Sequence, residues 1–262
     1  MLQLDLKGKT ALVAGSTQGI GLACAQMLAS LGANCTLIAR NGQKLEVAVG
    51  TLDISQGQKH EWLLADFQKP EEVRGVIAEY VKQHHIDILV NNSGGPAGGP
   101  ITEAKPEDFL QTLQQHLICN HILTQAVIPH MQKTGYGRIV NIISTSVKVP
   151  LKNLGVSNTT RAAVASWAKT MANELGKYGI TVNNVLPGAT LTERLSTIMD
   201  NKAAKSKMNM EEVEQEMLAE IPAGRFGKPE EIAAMVAFLC TPAAAYVNGA
   251  SIAVDGGRTG SI

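Results

Sequence analysis

The chain lacks any excess of charge. Its 262 residues carry 23 Lys plus Arg against 23 Asp plus Glu, for a formal net charge of zero. That balance provides no electrostatic footprint for nucleic acid and no steering toward an anionic membrane. Cysteine is scarce. Cys24, Cys35, Cys119 and Cys240 stand far apart in apolar segments, with neither a disulfide framework nor a metal-ligand spacing, so no metal is expected. They read as small buried hydrophobes in a reducing compartment. No apolar run reaches the roughly 20 residues a membrane-spanning helix needs. The first ten residues include Asp5, Lys7 and Lys9 and show no apolar core of a secretion signal, so the expected location is the cytoplasm. Linkers, low-complexity tracts and internal repeats are also missing. What remains is a 45% hydrophobic chain of a length that suits one α/β domain, 1–262, on one large sheet.

Short apolar runs recur between helical stretches. Ala11–Ala14, Cys35–Ala39, Glu61–Ala65, Ile86–Val90, Arg138–Ile142, Thr181–Val185 and Ser251–Val254 read as seven strands, the apolar runs of buried parallel strands. Helices are expected at Gly21–Leu31, closed by Gly32 as a left-handed cap, and near 71–84, 106–132, 157–176 and 229–240. Strands alternating with helices imply βαβ units and a doubly wound, mostly parallel sheet covered on both faces, a Rossmann-type α/β fold. The polar, Lys/Glu-rich segment 191–221 breaks the rhythm. It is either a solvated helix pair or a helical flap over a substrate pocket.

Gly15-Ser16-Thr17-Gln18-Gly19-Ile20-Gly21 lies between the first strand and the first helix. Glycines there permit a tight turn and close backbone approach to a pyrophosphate, which the free N–H groups and positive dipole of a helix N-terminus would hold. The position that carries a ribose-binding acid in NAD sites, at the end of the second strand, is Ala39, followed by Arg40. Losing the carboxylate removes repulsion toward a 2′-phosphate, and an arginine can grip that phosphate through two hydrogen bonds. NADP is therefore the expected cofactor, with NAD possible if Arg40 is only a solvated loop cation.

The glycine loop, Asn91-Asn92-Ser93-Gly94 after the fourth strand, Pro187-Gly188 after the sixth, and Asp255-Gly256-Gly257 near the end occur in an order that resembles the short-chain dehydrogenase/reductase family, on its 3-oxoacyl-carrier-protein-reductase-like side. The resemblance runs from about Lys9 to Gly257. It implies strand order 3-2-1-4-5-6-7 and a homotetramer or dimer built on paired helices. It also implies that Gly15, Ser16, Gln18, Gly19 and Ile20 hold the pyrophosphate and Asp66 meets the adenine. Asn92, Ser93 and Gly94 would flank the adenosine ribose, Pro187 and Gly188 would line the cofactor site, and Thr192 would hold the carboxamide.

At the chemical end the resemblance fails. The family works with Asn, Ser, Tyr and Lys. Ser144 fits the serine that orients the carbonyl, but the tyrosine falls on Ser157, the lysine on Arg161 and the asparagine on His116. A tyrosine hydroxyl titrates near 10 and comes within reach of neutral pH beside a cation, whereas an aliphatic hydroxyl needs a separate base. Arg161 stays protonated, so it can donate to ribose hydroxyls but cannot relay a proton. None of Tyr80, Tyr136, Tyr178 and Tyr246 falls where the family's tyrosine stands. His116 is either an acid/base group, since imidazole titrates near 6.5, or a satisfied buried histidine. Lys148 is either an anchor for an anionic group or a loop lysine.

Three functions remain open. One is an oxidoreductase moving hydride between NADP(H) and a small-molecule carbonyl or alcohol, with Ser144 orienting and His116 or a water supplying the proton. Another is a nucleotide-binding protein without turnover, and the last a lyase or epimerase with no net redox change.

Overall fold

A computed structural model describes residues 3–261. Strands and helices alternate as the apolar runs predict: β1 (Thr10–Ala14), α1 (Gly19–Ser30), β2 (Asn34–Ala39), α2 (Gly42–Val49), β3 (Glu61–Leu64), α3 (Pro70–Tyr80) and β4 (Ile88–Asn91) make the first half. The second half holds α4 (Pro106–Leu113), α5 (Cys119–Thr134), β5 (Gly137–Ile142), α6 (Gly155–Leu175), β6 (Ile180–Pro187), α7 (Glu193–Ser206), α8 (Met210–Ala219), α9 (Pro229–Cys240) and β7 (Ser251–Val254). Among the described residues all seven strands pair in parallel, in the order β3-β2-β1-β4-β5-β6-β7. The order reverses between β1 and β4, and crevices for ligands open at the carboxyl ends of strands flanking such a switch point.

Both faces of the sheet are covered, as continuous apolar strands require. On β1, Ala11 and Val13 pack into the layer built with α1 and α9, while Leu12 and Ala14 pack into the layer built with α3, α5 and α6. The sheet interior also carries a polar ladder. Asn91 donates its Nδ2 to Asn141 Oδ1 (2.9 Å), Asn141 to Asn184 Oδ1 (3.0 Å) and Asn184 to Ser251 Oγ (3.0 Å). These four residues are Cα partners across β4, β5, β6 and β7, so a single register brings each amide to the next.

Four local features differ from expectation. α2 was not anticipated. It has eight residues and is capped by Asn41, whose side chain accepts from the Lys44 N–H (2.9 Å). α3 stops at Tyr80 rather than 84, and turns follow. The helix expected over 106–132 is three pieces, α4, a π-turn at Gln114–Ile118 and α5. The extra residue of a π-turn is invisible to a 3.6-residue period. α6 begins at Gly155, which puts Ser157 in its first turn and Arg161 one turn on, on the same side of the helix.

Candidate active site

One cleft of about 730 Å³ runs across the switch point. Gly15, Gln18, Gly19, Ile20, Arg40, Asp66, Asn92, Ser93, Gly94, Ser144, Ser157, Arg161, Pro187, Gly188 and Thr192 all line it. Of the residues singled out by sequence, Ser16 and His116 lie buried behind its wall, and Lys148 is exposed outside it.

The glycine loop is built by close approach. Gly15 and Gly19 both have positive φ (58° and 56°). A Cβ on Gly21 would stand 2.2 Å from the Gly15 carbonyl, and one on Gly15 would stand 2.7 Å from the Asn92 carbonyl. Asn92, just after β4, closes the loop, its Nδ2 donating to the Ala14 and Gly15 carbonyls (3.3 and 3.1 Å). At the start of α1, Gln18 makes no side-chain cap and the first turn has no acid, so the helix presents open N–H groups of the kind that bind pyrophosphate. Ser16 Oγ, also buried in the loop, has no partner. Where a Cβ on Gly94 would point there is open space within 4 Å. These features fit a dinucleotide.

At the end of the cleft beside β2 and α2, Arg40 and Lys44 line it together. Lys44 Nζ donates to Gln18 Oε1 (3.3 Å), and Gln18 Nε2 donates to Glu193 Oε2 (2.5 Å). Asp66 accepts from the Gln68 N–H (3.0 Å), which keeps its carboxylate at the rim. Lys44 escaped the sequence reading because α2 did. A basic residue in the first turn after an Asn cap was the available signal.

At the other end, Ser144 follows β5 and caps a short 3-10 turn, its Oγ accepting from the Ser146 N–H (3.1 Å). With that lone pair engaged, its O–H is free to donate into the cleft. Arg161 is buried and donates through Nη1 to the Ile142 carbonyl (2.9 Å). Burial, and then the charge of Arg194, push its guanidinium down to about 10, which still leaves a cation at neutral pH. Besides Lys44, two more cleft residues are not marked by the sequence. Gln115 donates to the Gly94 carbonyl (3.1 Å), and Arg194 donates to the Pro96 carbonyl (2.5 Å). The loop 94–102 is held to the segment just before α6 by a bond from the Gly99 N–H to the Asn153 carbonyl (2.8 Å).

His116 sits in the π-turn with Nδ1 2.6 Å from Ser93 Oγ and Nε2 without a partner. Burial first, then the charge of Arg161, hold its imidazole well below 6.5; a hydrogen bond with the Gly94 backbone opposes this and Arg194 adds to it. Among the described residues no cluster of His, Cys, Asp or Glu could hold a metal, and no helix is long and apolar enough to cross a membrane. The four cysteines are free and buried.

A parallel doubly wound sheet with a glycine loop at its switch point defines a dinucleotide-binding protein of the Rossmann type. Residues 14–259 match the enoyl-(acyl carrier protein) reductase family. The chain is 33% identical to a 3-oxoacyl-[acyl-carrier-protein] reductase of Vibrio cholerae, over 97% of this chain and 98% of that one. It is 36% identical to a 2-dehydro-3-deoxy-D-gluconate 5-dehydrogenase of Bacillus subtilis, over 97% and 95%. Its fold is similar to the crystal structure of L-sorbose reductase from Gluconobacter frateurii complexed with NADPH and L-sorbose, with a TM-score of 0.92, 31% identity and coverage of 99% and 100%. The chain belongs to the short-chain dehydrogenase/reductase family and is an oxidoreductase.

Proposed function

We propose that the protein is an NADP(H)-dependent oxidoreductase interconverting a small carbonyl compound and its alcohol, with Arg161 in the place of a tyrosine–lysine pair. The observation that carries this reading is the continuity of one cleft from Arg40 and Lys44, past the glycine loop, to Ser144, Ser157 and Arg161. When bound, the reduced dinucleotide supplies hydride to a carbonyl carbon. The other tasks fall to this chain. Gly15, Gly19, Ile20 and the start of α1 seat the pyrophosphate, with Ser16 behind them. Arg40 and Lys44 face the 2′-phosphate, Asp66 the adenine, Asn92, Ser93 and Gly94 the adenosine ribose. Pro187, Gly188 and Thr192 hold the nicotinamide end.

Ser144 donates its O–H to the substrate oxygen and fixes the carbonyl's orientation. Arg161 stabilises the negative charge that develops on that oxygen, a preorganised cation in a buried setting. The proton then comes from water in the cleft, passed by the Ser144 or Ser157 hydroxyl. His116 is held neutral behind Ser93, and its role is to position Ser93 rather than to give up a proton. Lys148, exposed outside the cleft, takes no part. The family's relatives carry names spanning acyl-carrier substrates and sugar acids.

α7 and α8 serve as a flap over the cleft. They enclose a small core in which Leu195, Ile221 and Phe226 pack with Met199, Met217 and Leu218, and Lys202 pairs with Glu216 (3.0 Å). The protein acts as a homo-oligomer, for which the exposed Leu110 and Ile118 on the α4 and π-turn surface supply an apolar contact. Its four unpaired thiols suit the reducing cytoplasm.

The test is a titration with NADPH and with NADH followed by nicotinamide fluorescence. NADPH should bind about tenfold tighter or better, some 1.4 kcal/mol, and Arg40→Asp should abolish the preference while leaving NADH affinity intact. Unchanged NADPH affinity in Arg40→Asp overturns the cofactor assignment. The replacements at Ser157 and Arg161 favour one other reading, a nucleotide-binding protein without turnover. NADPH that binds but is not oxidised by any carbonyl compound would establish it.

A further inference from the structure

We infer that the substrate carries a free carboxylate, and that Arg161 and Arg194 form the site that reads it. This rests on the reading of the cleft as the seat of hydride transfer and names the substrate class for it.

Arg194 reaches the cleft from α7. Its guanidinium lies 3.4 Å from the position a Cβ on Gly95 would occupy and donates to the Pro96 carbonyl. Arg161, on α6, lines the same cleft. Among the described residues neither forms an ion pair with a carboxylate, whereas Arg74, Arg225 and Arg258 each do. The contrast with Arg138 is closer. Arg138 is also buried without a carboxylate, but it donates to the Thr241, Gly137 and Gly179 carbonyls and lies over the Tyr136 ring. Arg161 and Arg194 each give the protein one hydrogen bond from a fork of donors.

The two cations also oppose each other. The charge of Arg194 lowers the guanidinium of Arg161, and both lower the imidazole of His116. The one acid beside them in sequence, Glu193, is turned away to Gln18. Asp66, the other acid on the cleft wall, holds the Gln68 N–H at the adenosine end. Among the described residues the substrate end therefore holds two cations and no anion, both cations half-buried or deeper. Like charges so placed are stabilised by an oxyanion that accepts from both, and a planar carboxylate matches the guanidinium fork. The carboxylate accepts from Arg194 and Arg161, and the carbonyl of the same molecule meets Ser144 and a further donor of the Arg161 fork, of which only one is spent on the protein. The substrate is accordingly an oxo acid, or the hydroxy acid in the reverse direction, rather than a neutral ketone or a thioester.

The test measures binding, apart from turnover. The NADP⁺ complex is titrated calorimetrically with pyruvate and acetoacetate and with their methyl esters, in wild type, Arg194→Gln and Arg194→Lys. At least one acid should bind about tenfold tighter than its ester or better. That margin should vanish in Arg194→Gln and largely return in Arg194→Lys, with NADP⁺ affinity within about twofold throughout. Equal binding of acids and esters, or no binding of either, overturns the inference. So does a tenfold loss of NADP⁺ affinity in Arg194→Gln with the acid-to-ester ratio intact, which would give Arg194 to the pyrophosphate. Nicotinamide absorbance separates the two readings. Acids that bind without oxidising NADPH defeat the reductase and leave the anion site, while esters reduced as fast as acids do the reverse.

Discussion

Arg161→Met should leave the protein at least as stable as wild type while disabling it. Burial and Arg194 lower the Arg161 guanidinium from 12.5 to about 10, and at about 1.36 kcal/mol per unit the buried cation costs the folded state roughly 3 kcal/mol. Methionine fills similar space without charge. Its penalty is the Ile142 carbonyl, which loses the 2.9 Å bond from Nη1, and an unsatisfied buried acceptor costs about 1–3 kcal/mol. The net change lies between about zero and +2 kcal/mol, or an unchanged to higher melting temperature at about 2–4 °C per kcal/mol for a chain of this size.

Function should respond in the opposite direction. Removing one preorganised donor from a developing oxyanion lowers kcat by about 10²–10³. The assay pairs urea unfolding, at fixed protein concentration because assembly shifts apparent stability, with turnover of NADPH. A loss of more than about 2 kcal/mol would show that the Arg161 charge is compensated in the folded protein. Unchanged kcat would remove Arg161 from the chemistry. Either result refutes the reasoning.

Other outcomes are sharper in a single measurement. Gly21→Ala puts a Cβ 2.2 Å from the Gly15 carbonyl, so the turn must open, and NADPH affinity by fluorescence should fall more than about tenfold; unchanged affinity would mean that the loop does not hold the cofactor. Asn141→Ala strands the Asn91 amide and the Asn184 carbonyl inside the sheet and should cost about 2–5 kcal/mol in urea, against a change near zero if the ladder is incidental. His116 has a native pKa well below its unfolded 6.5, so as pH falls below 6.5 the unfolded chain takes up a proton that the native one refuses. The associated stability is complete above 6.5 and is lost as pH falls toward the native value; His116→Gln should flatten the slope of stability between pH 6.5 and 5 and leave kcat flat above 6.5. A rate pKa near 6.5 that disappears in this variant would return His116 to the role of acid/base.

The fold was largely legible because parallel strands buried on both faces must be apolar along their length. β1, β2, β4, β5 and β6 announce themselves that way. β3 is the least like the others, an edge strand with Trp62 and Leu64 exposed, legible only as the short apolar run Trp62–Ala65. The glycine loop was legible for a steric reason, since Gly15, Gly19 and Gly21 occupy places where a side chain is strained or has no room. The features that escaped are those that depend on distant partners. Arg194 meets Pro96 across 98 residues, and nothing local in the polar run of α7 marks that one residue as turned inward. The asparagine ladder needs four strands in register before any of its members has a partner. The π-turn that buries His116 differs from a helix by one residue, and the periodicity that found the helix averages over it.

Ser157 and Arg161 make sense as a pair only when charge is followed through the site. A lysine in a tyrosine site is useful because a compact ammonium lowers the phenol's pKa toward neutrality. Once position 157 carries an aliphatic hydroxyl, no nearby cation can bring it into range, so pKa tuning has no object there. What an alkoxide-forming step then needs is a donor that stays charged and can address an oxygen from a fixed direction. Arginine meets both needs, and anchoring Nη1 on the Ile142 carbonyl sets that direction. A cation so deeply placed without a carboxylate opposes folding, and a second one on α7 makes the opposition worse. The arrangement becomes favourable when an anion enters. On the proposed reading, binding and catalysis draw on the same electrostatic imbalance: the acid that would relieve the repulsion between Arg161 and Arg194 is also the molecule whose carbonyl would be delivered to Ser144.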